Sequence, residues 1–252
     1  MRAERSDGSV MCHDLCMADV QTGIDPDRLR IALDEVRDEL DAAARWSGRA
    51  PGAVELLVAG KYIAPEETPA LVAAGVQLVG ENRLQQLQAK QAIIGDALVF
   101  DFIGHLQRRK VREVLPRVRL IHSVDSLDLA REIAHRAEGT TRVLVEVNAD
   151  EEPSKSGIVP SQLRQFIADA SQLDHLVIGG LMVMPALTSN PEDSREAFSR
   201  VRGFARSLAV EWQGRHDLSD LSMGTSQDYV VAVQEGATIV RLGRGLIEQG
   251  RV

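Results

Sequence analysis

The sequence is poor in cysteine, in long apolar runs and in blocks of positive charge. Two cysteines in 252 residues exclude a disulfide framework. No uncharged apolar run is long enough to span a bilayer. The longest uncharged stretch, 176–191, is cut by Gly179-Gly180 and Pro185. The opening MRAERSDGSVMCHDLCMADV lacks the apolar core of a signal peptide, so the cytoplasm is the expected location. Acidic residues outnumber basic ones, 37 to 29, for a formal charge of −8. A net acidic chain without a basic block is a poor partner for nucleic acid or for an anionic membrane surface.

What is present suits one large soluble domain, with 44% apolar and 26% charged residues. Residues 1–24 are polar and aperiodic and read as a flexible tail, and Met17 offers an alternative start. Cys12, His13 and Cys16 lie there, but a fourth ligand is missing nearby and the spacing is not that of a zinc knuckle. The domain is expected over 25–252. Asp25 is a good N-cap, and Pro26 suits the first helical position. Leu29, Leu33, Val36, Leu40 and Ala43 then paint one apolar stripe, and Gly48 ends the helix.

Beyond it, short strand-like runs alternate with helical stretches. The runs fall at 55–59, 76–80, 98–103, 120–124, 142–148, 177–183, 220–223 and 238–242. Helices are expected at 66–74, 83–94, 107–115, 127–136, 161–173, 192–212 and 229–235. Several runs are apolar on both faces, as in a parallel sheet covered by helices. Eight such units predict an α/β fold, a single (β/α)8 TIM barrel with an extra N-terminal helix. The rival is an open doubly wound sheet, but the turn after the first run, AGKYIAPE, lacks the glycine-rich dinucleotide fingerprint.

In a barrel, chemistry collects where the strands end. Lys61 directly follows the run LLVAG and is expected to rise from the barrel floor, where a desolvated amine can attack an aldehyde. The alternative is a lysine that merely reaches solvent. The last two strand ends, SMGTSQD at 222–228 and RLGRG at 241–245, are rich in glycine and hydroxyls. These include Ser222, Thr225, Ser226 and Gly243. The loops after strands seven and eight are where barrels most often grip phosphate, although two ordinary glycine turns would look the same. A lysine and a phosphate grip together point to pyridoxal 5′-phosphate, with Arg241 as candidate partner of its ring nitrogen or else one half of a strand-end ion pair. His105 and His122 read as structural, hydrogen-bonded residues with acid–base roles as the alternative. Asp125-Ser126 reads as a helix cap. The stretch RRKVREVLPRVR at 108–119 reads as a solvated, locally basic surface that could attract an acidic partner.

These residues also carry a family resemblance. The segment Phe100-Asp101-Phe102-Ile103-Gly104-His105-Leu106-Gln107, continuing to Lys110, resembles the WHFIGxLQxxK signature of the pyridoxal-phosphate homeostasis proteins (the YggS/PROSC type). Gly80-Glu81-Asn82 matches in order, as do Asn148 with Ser154-Lys155-Ser156-Gly157, and Gly180-Leu181-Met182 with Pro185. So do Ser222-Met223-Gly224-Thr225-Ser226 with Asp228, and Arg241-Leu242-Gly243. The resemblance spans about residues 25–250 and implies the alanine racemase barrel without its second domain. It implies that Lys61 holds the cofactor as an internal aldimine, with Asn82 beside it. Ser226 and the Gly243 region would hold the phosphate, and Arg241 would face the pyridine nitrogen. Departures stand at Asp101 (for histidine), Gly60 (for serine or threonine), Arg83 (for an aromatic residue) and Arg244 (for threonine), and the usual FG after the last strand is missing.

The resemblance implies a protein that binds pyridoxal phosphate and keeps its free level in check, without robust catalysis. The expected partners are the cofactor and pyridoxal-phosphate-dependent apoenzymes, and the expected state is a monomer or weak homodimer. The alternatives are an amino-acid racemase or a barrel that has lost the cofactor and acts through protein contacts. A racemase of this fold needs a second base from an added domain, and only about ten residues follow the eighth run. The side chain of Arg244 is expected to turn away from the phosphate, leaving backbone donors and Ser226 to hold it.

Overall fold

The computed structural model describes residues 22–186 and 188–251. Cys12, His13 and Cys16 lie outside these residues. Eight parallel strands follow one another around a closed barrel in chain order. They are β1 (Glu55–Ala59), β2 (Leu78–Glu81), β3 (Val99–Phe102), β4 (Ile121–Val124), β5 (Thr141–Val147), β6 (Leu176–Val183), β7 (Asp220–Thr225) and β8 (Ile239–Leu242). β8 pairs with β1, placing Arg241 opposite Leu57 and closing the ring. The barrel stands, and the open sheet is excluded.

Alternation along each strand sorts its side chains into two cores. Leu57, Leu78, Leu120, Leu144, Met182 and Ile239 point inward and fill the barrel, with Ile103 packed on them. Val58, Val79, Phe102, Ile121, Val143, Val145, Leu181 and Val240 point outward into the core beneath the helices. This explains why the runs are apolar throughout rather than alternating. It also places polar residues. Two residues on from Leu120 and Ile239 come His122 and Arg241, and two before Ile103 comes Asp101. All three are buried.

The helices are α1 (Pro26–Trp46), α2 (Thr68–Ala73), α3 (Leu84–Ile94), α4 (Val111–Val114), α5 (Leu127–Arg136), α6 (Pro160–Ala170), α7 (Arg195–Glu211), α8 (Tyr229–Gln234) and α9 (Arg244–Gln249). The Asp25 carboxylate caps α1 by accepting from the amides of Asp27 and Arg28. The α1 stripe buries Leu29, Leu33, Val36 and Leu40, each contributing about 1.5–3 kcal/mol by leaving water. Ser126 caps α5 through the amide of Leu129. The helix expected at 107–115 is only one α turn between two 3-10 turns. Pro116 lacks an amide proton and cannot donate back to the carbonyl of Arg112, so the α ladder stops there. α9 was not expected; it buries Leu246 and Ile247.

The expected boundary at residue 25 shifts. Ile24 is buried and forms an antiparallel bridge with Arg251. The amide of Asp25 donates to the carbonyl of Gly250 at 2.8 Å, and Glu67 accepts from the amides of Gly23 and Ile24. Both described ends therefore belong to the packed unit. Among the described residues no helix is long and apolar enough to cross a membrane.

Candidate functional site

Lys61 sits in a 3-10 turn, Gly60–Tyr62, at the end of β1. Its side chain is exposed, so the expected desolvation at the barrel floor is corrected: the turn lifts it to the rim. Its Nζ lies 4.7 Å from the centroid of the Tyr62 ring, and the Arg244 guanidinium lies 5.2 Å from the same centroid. Tyr62 thus sits between the first and last strand ends. A Cβ on Gly243 would come within 2.8 Å of the Tyr62 ring, so only glycine fits there. Tyr62 was missed by the sequence reading; the signal was an aromatic directly after the lysine.

Beneath Lys61 lies a buried ion pair. Lys90, from the inner face of α3, donates to Glu81 Oε1 at 2.5 Å and to the carbonyl of Gly60 at 2.9 Å. Both side chains are fully buried. Burial raises the Glu81 carboxyl, and Lys90 offsets this only in part. A Cβ on Gly60 would lie 2.1 Å from Glu81 Oε1. The glycine at this departure is therefore required by the carboxylate beside it. Lys90 was also missed, although it continues the Leu84, Leu87 spacing of the buried face of α3.

The last two strand ends do come together. Ser226 Oγ accepts from the amide of Gly243 at 3.3 Å. Thr225 is committed to its own turn: its amide and hydroxyl both donate to Asp228 Oδ1, at 2.7 and 3.2 Å. Ser222 is fully buried below the rim rather than open to a phosphate. Asn82 is half-buried against Gly104, where a Cβ would meet its Cα at 2.6 Å. Asn148 organises the 149–157 loop: its Nδ2 donates to the carbonyl of Glu152 at 2.8 Å. His105 is exposed and pairs with Asp125 at 3.1 Å. Arg244 is exposed, and Arg83 is exposed at the start of α3.

Arg241 is the decisive group. It is 6% exposed, and its guanidinium donates only to neutral oxygens. These are the carbonyl and Oγ of Ser222 and the carbonyl of Val183. Among the described residues it has no ion-pair partner, so the strand-end ion pair considered for it is not found there. Burial pushes its pKa down to about 10, and Asp228 and Glu146 counter this only through space. A buried cation without a bound carboxylate is costly unless an electron-rich group meets it. Among the described residues, no cluster of three or more His, Cys, Asp and Glu could hold a metal.

Comparisons with known proteins identify the family. The family profile "Alanine racemase, N-terminal domain" matches residues 24–248. A "Pyridoxal phosphate homeostasis protein" of Aquifex aeolicus is 37% identical over 215 residues, 84% of this chain and 93% of that one. The chain belongs to the pyridoxal phosphate homeostasis protein family. Two solved structures share its fold. A protein of Bifidobacterium adolescentis superposes with a TM-score of 0.80 at 34% identity, covering 88% of this chain and 95% of that one. PipY of Synechococcus elongatus, solved with PLP bound, gives 0.76 at 31% identity, covering 87% and 99%.

Proposed function

We propose that this protein binds pyridoxal 5′-phosphate in the barrel mouth, with Lys61 as its covalent anchor, and holds it in reserve for apoenzymes that need it. Bound there, the cofactor supplies an aldehyde and an electron-withdrawing ring. Lys61 would supply the amine that anchors the cofactor through its aldehyde. Ser226, whose Oγ accepts from the amide of Gly243, would offer its hydroxyl proton to the phosphate, and Asn82 lines the side. The side chain of Arg244, over Tyr62, closes the rim. Ser222 and Thr225 act from below and behind, through Arg241 and the turn at Asp228.

The observation that carries this reading is Arg241. A guanidinium can only donate, so it suits an unprotonated ring nitrogen. Such a nitrogen withdraws electrons weakly, which favours storage over turnover of amino acids. The reading makes the protein a carrier in the cell interior, as a monomer or weak homodimer.

The purified, cofactor-loaded protein should show a visible absorption band that borohydride reduces to a stable adduct on Lys61. Lys61→Ala should lose the band and the adduct while keeping its circular dichroism. An adduct that persists on another lysine would overturn the assignment. Incubation with L-alanine and chiral analysis should show no turnover approaching the ordinary enzyme median of about 10 s⁻¹.

A further inference from the structure

A chain of hydrogen bonds crosses the barrel interior. It starts at Arg241 on β8, whose Nη1 donates to Ser222 Oγ on β7. Ser222 Oγ lies 2.9 Å from His122 Nδ1 on β4, and His122 Nε2 lies 3.0 Å from Asp101 Oδ2 on β3. Arg119 closes the far end, donating from Nε to Asp101 Oδ1 at 3.0 Å and from Nη2 to Oδ2 at 2.8 Å. Its outer edge also grips Glu55, at 2.7 and 3.0 Å. Asp101, His122, Ser222 and Arg241 are all buried. They are the charged and polar groups that face the imidazole, together with Arg119.

The direction of these bonds follows from the donor inventory. Arg241 only donates, so Ser222 Oγ accepts from it and turns its own proton to His122 Nδ1. An accepting Nδ1 places the imidazole proton on Nε2, where it donates to the Asp101 carboxylate. Every bond is satisfied with His122 neutral and in that one tautomer. An imidazolium would aim a proton at Ser222 Oγ and displace the hydroxyl proton from its acceptor. Three of the five guanidinium N–H donors of Arg241 are taken by Ser222 and Val183, which leaves Nε–H and one Nη2–H for a ligand.

We infer that Asp101, a departure from the related signature, is a positioning residue for Arg241, acting through His122 and Ser222. It rests on the reading of the mouth as a pyridoxal-phosphate site. The carboxylate fixes the tautomer, the tautomer fixes the hydroxyl, and the hydroxyl holds the guanidinium so that one of its two remaining donors meets the lone pair of the ring nitrogen. Burial drives His122 toward the neutral form, overcoming the pull of Asp101. Burial alone would raise Asp101, but the hydrogen bonds from His122 and Arg119 carry it below the usual carboxylate range.

Two measurements test this. The first is 15N NMR of the labelled wild-type protein without added cofactor, with His122 assigned by its absence in His122→Gln. The expected result at pH 7 is a protonated Nε2 and an unprotonated Nδ1. An imidazolium, or a proton on Nδ1, would overturn the inference. The second is pyridoxal 5′-phosphate affinity in Ser222→Ala, Asp101→Leu and the double variant. Arg119 keeps Glu55 as partner in Asp101→Leu, so no buried charge is orphaned. Each single variant should bind at least fivefold more weakly, and the double no more weakly than the worse single, since both break one chain. Folded single variants within fivefold of wild type, or losses that multiply in the double, would sink the idea. If Asp101→Leu does not fold, Ser222→Ala and the NMR result still decide. A wild-type protein that forms no borohydride-reducible adduct would instead overturn the cofactor site, leaving the tautomer to report on the chain.

Discussion

At the scale of single residues, two departures from the related pattern have opposite characters. Gly60 is enforced from below, because Glu81 Oε1 and Val79 Cγ1 stand 2.1 and 2.9 Å from where its Cβ would be. The carboxylate cannot swing away without leaving Lys90, which is fully buried. Gly60→Ser should therefore cost about 1–3 kcal/mol, as overpacking does, read from urea denaturation. A variant as stable as wild type would mean that the Glu81–Lys90 pair has a second seat. Arg244 is exposed and lies over Tyr62. Its contact with Tyr62 at 5.2 Å is of the size of an exposed cation–π pair, about 0.5–1 kcal/mol. Arg244→Thr should change pyridoxal-phosphate affinity by no more than about tenfold, on the order of 1.4 kcal/mol. A hundredfold loss would make the arginine a principal phosphate ligand.

At the scale of elements, β3 and β4 carry the charge that the barrel interior tolerates. Asp101 has a depressed pKa in the folded chain. Its contribution is therefore complete above the unfolded value of about 3.9 and is lost as pH falls through the lower folded value. Asp101→Asn should be about 1–3 kcal/mol less stable at pH 7, and the gap should close below about pH 4. A gap independent of pH would show that shape, not charge, matters there. The strands were legible because a buried parallel strand writes itself as a short apolar run, and all eight lie where the runs do. The positions of Lys61, Arg241, Ser226 and Gly243 at strand ends were legible because a barrel brings those ends to one rim. Arg119 was not. It lies in RRKVREVLPRVR, which reads as solvated surface, and only the pairing of β4 with β3 brings it beside Asp101. His122 looked like a lone structural histidine, and no local spacing links it to Ser222, a hundred residues on. α9, with six residues, is too short to show a helical period.

At the scale of the whole molecule, acid should loosen the fold through a buried histidine. His216 is buried, its Nδ1 accepts from the amide of Ile178 at 3.2 Å, and its Nε2 has no partner among the described residues. Burial pushes its pKa down to about 4. Between about pH 6.5, where the unfolded histidine gains its proton, and pH 4, only the unfolded chain takes one up. Stability from this group is present above that window and falls by about 1.4 kcal/mol per pH unit on descending through it. His216→Gln, whatever its cost at pH 7, should give a flatter stability curve by that slope in urea titrations at pH 7, 6 and 5. Equal slopes would place the proton elsewhere. The bridge between Ile24 and Arg251 has a different kind of consequence. A ring of strands has no natural beginning, and here the two described ends of the thread already touch. A short peptide joining residue 251 to residue 22 would let the gene be cut open elsewhere, for instance in the exposed 138–140 loop between α5 and β5. Such a circular permutant should fold to the same barrel and keep the same rim, with the first and last strands of the natural order made neighbours in the middle of the new one.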